Sequence, residues 1–306
     1  MTHVLLYWNH ICVLHNQEKA FLHRLTERLA LEDIALETRF FGLGYPEHMS
    51  EYLAKPDAIL PDILVSADLE VFEDSRIFGK LADTLHPTAD WLPLRQSRAL
   101  ELVARSEKLL PILAIPLVYY TRQPSHCAGR TIPSVEGLTF GGINNSAGKT
   151  LVKAVWSHYG RDAAARVLRD SAVTDMPIGA FQGVRMGQAS TALVPSLYAL
   201  RADGTETHLC CPEEGPLLIP SYLCARTSLS EALARRVVES ILCPELCNFY
   251  ATNGDLILFP SCTEKSSAQE STDYLVPLSA WYDTVSPEEF YELYSEFLPT
   301  AHIPFA

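Results

Sequence analysis

One stretch of this chain, residues 138–201, constrains the fold more than any other. It begins with a short apolar strand that ends in two glycines, continues through the polar turn 143–150 and enters an amphipathic helix over 151–159. It closes with a second apolar strand, 191–198, that ends in polar groups. The start of a helix exposes free backbone N–H groups, and Asn, Ser and Lys side chains stand beside them here. The stretch therefore predicts a strand–helix–strand unit with a site for an anion or a polar ligand.

The first part of the chain alternates apolar strands with amphipathic helices. Strands are predicted over residues 4–8, 36–41 and 62–65, with helices over 17–31 and 47–54 between them. This alternation is typical of parallel sheets with helices on both faces. Ligands of such sheets bind beyond the carboxyl ends of the strands, so the residues that follow each strand are the first candidates for a site.

Two apolar, proline-rich runs predict how the chain is divided. They lie near 111–120 and 216–223 and bracket a complete strand–helix unit of domain size. We expect hinge strands at these two places. The first lobe is then formed by 1–113 together with 223–306, and the second lobe by 114–222.

Composition and charge restrict the partners. Of the 306 residues, 48% are hydrophobic and 20% charged, which is typical of a globular protein. The net charge of −13 argues against a nucleic-acid partner, because phosphate binding needs a basic face. No apolar run is long enough to span a membrane. The most polar stretch, 261–272, predicts a surface loop.

The cysteines bear on the cellular compartment. The chain has 8 of them and opens without the pattern of a secretory signal, which predicts reduced thiols and a cytoplasmic protein as the sequence stands. Removal of a signal from a longer precursor would instead make it periplasmic or extracellular. Cys243 and Cys247 fit the spacing of a zinc site only loosely, and adjacent Cys210 and Cys211 rarely hold one ion, so buried thiols are the prediction for them.

Five segments in order resemble a known family. They are Tyr7-Trp8-Asn9, Pro61-Asp62-Ile63-Leu64-Val65-Ser66-Ala67-Asp68, the helix start 142–148, the helix and turn 181–189, and the strand 193–198. Together they resemble the type II periplasmic binding proteins, in the branch of iron(III)-binding and related ABC-transporter solute-binding proteins. The resemblance implies an α/β fold, a two-lobed clamshell in which each lobe is a mixed sheet flanked by helices.

The same resemblance implies a function. A protein of this kind holds a small anionic or polar ligand, with or without a metal, in the cleft between its lobes, and an ABC permease is its partner. Iron-binding members often carry a tyrosine pair where this chain has Ser196-Leu197-Tyr198, so only Tyr198 matches and metal binding stays open. The resemblance implies no cofactor. The alternative is a cytoplasmic enzyme or ligand sensor built on the same fold.

The expected ligand-binding residues follow strand ends, the helix start and the hinge. The first lobe is expected to contribute Asn9, His10, Ser66 and Asp68. The second lobe is expected to contribute Tyr119, Asn144, Asn145, Ser146, Gly148, Lys149, Gln182 and Tyr198. Structural roles compete with binding at three of these places. Asn145 or Ser146 can cap the helix, Asp68 can cap the helix that follows it, and His10 can be a buried structural histidine.

Catalytic motifs are weakly represented. Gly148-Lys149-Thr150 matches the end of a P-loop, but the position of that loop's first glycine is occupied by Ile143. A β-branched residue there would disrupt the backbone cradle for phosphates. The sequence has no Gly-x-Ser-x-Gly motif. We assign no catalytic residue and expect binding without chemistry.

Overall fold

The computed structural model describes residues 1–42, 44–261 and 273–303. Of the polar stretch 261–272, predicted to be a surface loop, only Ser261 is among the described residues. The strands are β1 (Thr2–Asn9), β2 (Ile34–Phe41), β3 (Ile63–Ser66), β4 (Leu110–Thr121), β5 (Leu138–Gly141), β6 (Ala172–Thr174), β7 (Thr191–Pro195), β8 (His208–Cys210), β9 (Leu217–Ala225) and β10 (Ile257–Leu258). The helices are α1 (His15–Ala30), α2 (Met49–Ala54), α3 (Glu70–Glu73), α4 (Ser75–Ala82), α5 (Arg98–Val103), α6 (Ser146–Tyr159), α7 (Arg161–Asp170), α8 (Pro177–Arg185), α9 (Ser196–Ala199), α10 (Glu231–Ile241), α11 (Pro244–Asn253), α12 (Ser279–Thr284) and α13 (Pro287–Phe297).

The chain divides into two compact units. Among the described residues, unit 1 contains 1–114 and 220–261, and unit 2 contains 115–219 and 273–303. That these units are lobes which close on a ligand about two hinge strands stays a prediction.

The C-terminal segment departs from the expected division, which placed all of 223–306 in the first lobe. Residues 273–303 belong to unit 2 because α13 packs on that unit. Phe290 and Tyr294 of α13 are buried, and the Tyr294 hydroxyl donates a hydrogen bond to the Ile143 carbonyl at 2.9 Å.

Unit 1 is built on a mixed sheet. β1 lies between β2 and β3 and is parallel to both, while β9 runs antiparallel to β3. Leu6, Tyr7 and Trp8 of β1 are all buried, as expected for a central parallel strand that is covered on both faces. The apolar side of α1, which includes Leu22 and Leu25, is buried as its helical spacing predicts.

Unit 2 repeats this plan with different strands. β7 is parallel to β5 and antiparallel to β4, while β6 extends the parallel side and β8 pairs with the end of β4. The strand predicted over 191–198 ends earlier, at Pro195, and the following residues form the short helix α9. Tyr198 is therefore on a helical turn. Each unit is a mixed sheet with helices, which confirms the predicted fold class.

Candidate functional site

The end of β1 carries a buried histidine whose ring is held in place by a carboxylate. His10 Nδ1 and Glu18 Oε2 lie 2.8 Å apart, and both side chains are completely buried. The same oxygen accepts the Ile11 N–H at 3.1 Å, and Glu18 Oε1 accepts the Tyr250 hydroxyl at 2.6 Å. An ionised carboxylate can only accept, so this arrangement places the Nδ1 proton of His10 toward Glu18.

The opposite nitrogen of His10 is available for a further contact. His10 Nε2 is buried and has no hydrogen-bond partner among the residues that the structure describes. The imidazole stacks on Phe40 with ring centroids 4.8 Å apart and on Tyr45 at 5.9 Å. The Lys19 ammonium lies 4.9 Å from the centroid of the Tyr45 ring. Buried polar atoms are normally paired, so Nε2 is a candidate contact for a ligand.

Asn9 lies next to a turn that needs glycine. The residue is half-buried, and Gly42 opposite it has a φ of +105°. A Cβ on Gly42 would come within 3.4 Å of the His10 backbone and 3.5 Å of the Asn9 amide nitrogen. The turn after β2 therefore packs closely against the end of β1.

Ser66 and Asp68 form a hydrogen-bonded turn after β3. The Ser66 Oγ accepts the Asp68 N–H at 2.8 Å, and Asp68 Oδ2 accepts the Ser50 N–H at 2.9 Å. Both residues are buried. Asp68 thus satisfies an N–H in the first turn of α2, whereas the sequence offered the helix after Asp68 as the one to be capped. A ligand contact by either residue stays a prediction.

The start of α6 in unit 2 is shaped by one amide and two glycines. Asn145 is the N-cap, and its Oδ1 accepts the Ala147 N–H at 2.9 Å. Gly142 has a φ of +101°, and a Cβ there would collide with the Asn145 side chain. A Cβ on Gly148 would come within 2.5 Å of the Gly142 carbonyl oxygen. Asn145 is therefore the cap, one of the two that the sequence allowed, and Ser146 is the first, buried residue of the helix.

The side chains of Asn144 and Lys149 point in different directions from this turn. The Asn144 Oδ1 accepts the His302 N–H at 2.6 Å, on the exposed side. Lys149 is buried and its Nζ donates to the Tyr291 hydroxyl of α13 at 3.2 Å. The ammonium also lies 5.2 Å from the Tyr291 ring centroid. The Lys149 ammonium thus packs against α13, and its contact with a ligand stays a prediction.

The three remaining predicted residues occupy different environments. Tyr119 is buried in β4, its hydroxyl donates to the Arg130 carbonyl at 3.4 Å, and burial raises the pKa of the phenol well above its usual value. Tyr198 is buried and stacks on Phe181, with centroids 5.6 Å apart. Gln182 is exposed on α8. Burial thus favours the neutral phenol of Tyr119, and its contact with a ligand stays a prediction.

The residues that orient His10 were not predicted from the sequence. Glu18 and Tyr250 come from α1 and α11, and Phe40 and Tyr45 flank the turn after β2. The signal for Glu18 was its position on the apolar side of α1, near Phe21 and Leu22 in the helical repeat. Glu is almost never fully buried without a partner, so a Glu on that face predicts a buried polar contact.

The cysteines differ from the expectation of uniformly reduced thiols. Cys247 on α11 is disulfide-bonded. Its partner is not one of the free cysteines among the described residues, which are Cys127, Cys210, Cys211, Cys224 and Cys243. The prediction of a buried thiol at Cys247 is therefore wrong. The side chain of Cys12 and the whole of Cys262 lie outside the described residues.

The described residues contain neither a cluster of metal-binding side chains nor a helix that could span a membrane. Within residues 1–42, 44–261 and 273–303, no three His, Cys, Asp or Glu side chains are grouped so that they could hold a metal ion. In the same residues, no helix has the length and apolar character that crossing a bilayer requires.

Comparison with known proteins supports the fold. No protein-family model matches the sequence, and no curated protein matches it. Among solved structures, the chain is similar to iron-bound HitA from Pseudomonas aeruginosa, with 18% identity, a TM-score of 0.63 and 100% of both chains covered. It is also similar to the ferric binding protein from Campylobacter jejuni, with 15% identity, a TM-score of 0.64, and 97% of this chain and 99% of that one covered.

A third similar structure is a periplasmic thiamin binding protein, with 13% identity, a TM-score of 0.65, and 98% of this chain and 96% of that one covered. At such low identities these likenesses establish the fold. The chain has the fold of the type II periplasmic binding proteins, which confirms the resemblance seen in the sequence.

Proposed function

We propose that this protein is a solute-binding protein of the ABC-transporter type, which holds a small polar or anionic solute without chemical change. The similar structures support this proposal by what they bind. One is iron-bound, one is a ferric binding protein and one binds thiamin. The cargo therefore differs among proteins of this fold, and the solute of this chain has to be inferred from its own residues.

The observation that carries the proposal is the start of α6. Ser146, at the first position of this helix, is buried together with the rest of its first turn, and the turn before it is packed tightly by Gly142 and Gly148. A helix start presents N–H groups and partial positive charge to an anion. We propose that Ser146 and the N–H groups of this turn contact the anionic part of the solute.

Unit 1 supplies an independent candidate contact at His10. Its Nε2 is buried without a partner among the described residues, and Glu18 fixes the orientation of the ring. We propose that Nε2 hydrogen-bonds to the solute, with Asn9 beside it. The same proposal includes five further solute contacts, which are tested after Ser146 and His10. They are Ser66, Asp68, Tyr119, Gln182 and Tyr198. That the solute lies in a cleft between two lobes stays a prediction from the sequence.

The first experiment identifies the solute. Native mass spectrometry of protein purified without added ligand should show a co-purified small molecule or ion, and titration calorimetry with that species should give one site. Retention of a species that is released unchanged supports binding. Turnover of the species would instead support the enzyme alternative.

The second experiment tests the site with matched variants. Ser146→Ala and His10→Gln should each weaken binding roughly tenfold or more, because a buried hydrogen bond to a charged ligand is lost. Ser157→Ala is the control, since Ser157 lies at the other end of the same helix and its Oγ donates to the Ala154 carbonyl at 2.9 Å. Unchanged affinity in both site variants would place the solute elsewhere.

We further propose that the mature protein acts outside the cytoplasm with an ABC permease as partner. The disulfide at Cys247 supports this location, because disulfides persist mainly in oxidising compartments. Peptide mapping of freshly isolated protein, blocked with a thiol reagent, should recover Cys247 in a disulfide-linked peptide. Recovery of Cys247 as a free, blocked thiol would contradict the proposed location.

A further inference from the structure

A pocket in unit 2 is lined by three arginines and by none of the residues expected to bind the solute. It has a volume of about 410 Å³. Its lining residues are Tyr120, Arg122, Phe181, Arg185, Arg201, Asp203, Glu206 and Thr207. Pockets of this size commonly hold small molecules. In a chain of net charge −13, three guanidinium groups at one pocket are a local reversal of charge.

Two of the arginines form no ion pair with an acidic residue in the described part of the chain. Arg122 Nη2 donates to Glu206 Oε2 at 2.9 Å, and Arg122 Nη1 donates to the Arg185 carbonyl at 3.4 Å. Neither Arg185 nor Arg201 forms an ion pair with a carboxylate of the described chain. Arg122 is thus neutralised and fixed, and the other two cations keep their charge available to an anion.

The aromatic side of the pocket holds Arg201 in place. The Phe181 ring stacks on that of Tyr198, with centroids 5.6 Å apart, and is tilted against that of Tyr120, with centroids 4.8 Å apart. The Arg201 guanidinium lies 5.9 Å from the Phe181 centroid and 5.8 Å from that of Tyr198. A guanidinium over a ring face keeps its N–H donors at its edges, where a carboxylate or phosphate can meet them in pairs.

The acidic residue Asp203 does not cancel this charge at close range. Its Oδ1 accepts the N–H groups of Thr205, Glu206 and Thr207, at 2.8, 2.8 and 3.1 Å, and the Thr205 hydroxyl at 3.0 Å. These hydrogen bonds hold the pKa of Asp203 well below its usual range, so the loop 203–207 stays formed at mildly acidic pH. The carboxylate serves as the centre of this loop, which forms one wall of the pocket.

We propose that this pocket binds a small anion through a phosphate or carboxylate group that meets the exposed guanidinium groups of Arg185 and Arg201. Arginine donors match both kinds of oxyanion. Tyr120 and Phe181 line the pocket but are almost completely buried, so the arginines are the groups that an anion would reach. None of its lining residues is a proposed solute contact, although Tyr198, which is one, stacks on Phe181 behind the pocket.

The test uses phenyl phosphate and inorganic phosphate as probes in titration calorimetry, at low ionic strength and again with added salt. Both probes should bind, each at one site, and phenyl phosphate is the probe followed in the variants. Arg201→Gln and Arg185→Gln should each weaken it roughly tenfold or more, since a charge-assisted hydrogen bond is removed. Arg169→Gln is the control, because Arg169 is an exposed arginine of unit 2 whose partner is its neighbour Asp170.

Further variants separate a loss of phenyl phosphate binding from a loss of protein stability. Arg185 makes no side-chain ion pair in the described chain and is exposed, so Arg185→Gln should melt like the wild type and report on binding alone. Arg201→Lys keeps the charge and should bind with intermediate affinity. The proposal is overturned by absence of saturable binding of phenyl phosphate. It is also overturned if Arg169→Gln is weakened equally, or if Ser146→Ala abolishes phenyl phosphate binding while Arg201→Gln leaves it unchanged.

Discussion

The two units position their candidate ligand groups by different physical means. In unit 1, His10 is oriented by side chains: Glu18 accepts from the ring, and Tyr250 donates to Glu18 from a helix far along the chain. In unit 2, the start of α6 is shaped by residues close together in sequence: the Asn145 side chain caps it, and Gly142 and Gly148 allow close packing there. The arrangement in unit 1 depends on the pairing of buried polar groups. The arrangement in unit 2 depends on a local cap and on two glycines whose lack of a Cβ allows close packing. The two should therefore respond to mutation in different ways.

The largest effect is expected in the buried network of unit 1. Glu18→Gln replaces a carboxylate that accepts from His10, Ile11 and Tyr250 with an amide that has a single acceptor oxygen. We expect a loss of about 3 kcal/mol in the free energy of unfolding, because buried donors are left unpaired. Urea denaturation measures it.

The control for this variant is Glu27→Gln on the same helix. Glu27 is exposed and lies near His23 in an i,i+4 pair, so its replacement should change stability by less than about 0.5 kcal/mol. Equal losses in the two variants would mean that the Glu18 network contributes no more than a surface charge. The statement that paired buried side chains stabilise this part of unit 1 would then be wrong.

A smaller loss is expected from adding one methyl group in unit 2. Gly148→Ala brings a Cβ within 2.5 Å of the Gly142 carbonyl oxygen and 3.0 Å of the Tyr294 hydroxyl. Overpacking of this kind costs about 1–3 kcal/mol, despite the higher helix propensity of alanine. Gly183→Ala on α8 meets only the Ala189 Cβ at 3.9 Å and should be neutral or slightly stabilising. Thermal denaturation that finds both variants equally stable would contradict the close approach.

The smallest effect of the three is expected at the helix cap. Asn145→Ala removes the acceptor for the Ala147 N–H and should cost about 1 kcal/mol, whereas Asn145→Asp keeps an acceptor and should stay close to the wild type. Thermal denaturation of the two variants side by side separates capping from mere side-chain size. If the alanine and aspartate variants lose the same stability, the side-chain oxygen is not what stabilises the start of α6.

The sequence predicted what is local and missed what is distant. Asn145 and the flanking glycines of α6 lie within a few residues of one another, so their turn and cap could be read from the order of residues. Glu18 and Tyr250, by contrast, meet only because α1 and α11 pack in unit 1. The helical spacing predicted the apolar side of α1, but nothing in that spacing indicated which polar groups the packing would bury together.

Two other differences have the same origin. Lys149 belongs to the helix start by sequence, yet its long side chain reaches Tyr291 of α13, which the sequence had assigned to the first lobe. The arginine-lined pocket escaped notice because Arg122, Arg185 and Arg201 come from three separate segments. The contacts made by the ends of long side chains depend on tertiary packing, so the spacing of residues along the chain does not predict them.

The chain path of the two units has a consequence for how the protein is made. Unit 1 includes residues up to about 261. Unit 2 includes α13, whose Tyr294 hydroxyl donates a hydrogen bond to the Ile143 carbonyl. During synthesis from the N-terminus, unit 1 is incomplete until residues near 261 have left the ribosome, and unit 2 until α13 has done so. A nascent chain stalled before α13 would leave Gly148 and Lys149 without their covering helix. Each unit can therefore complete its fold only after the segment that closes it has been synthesised.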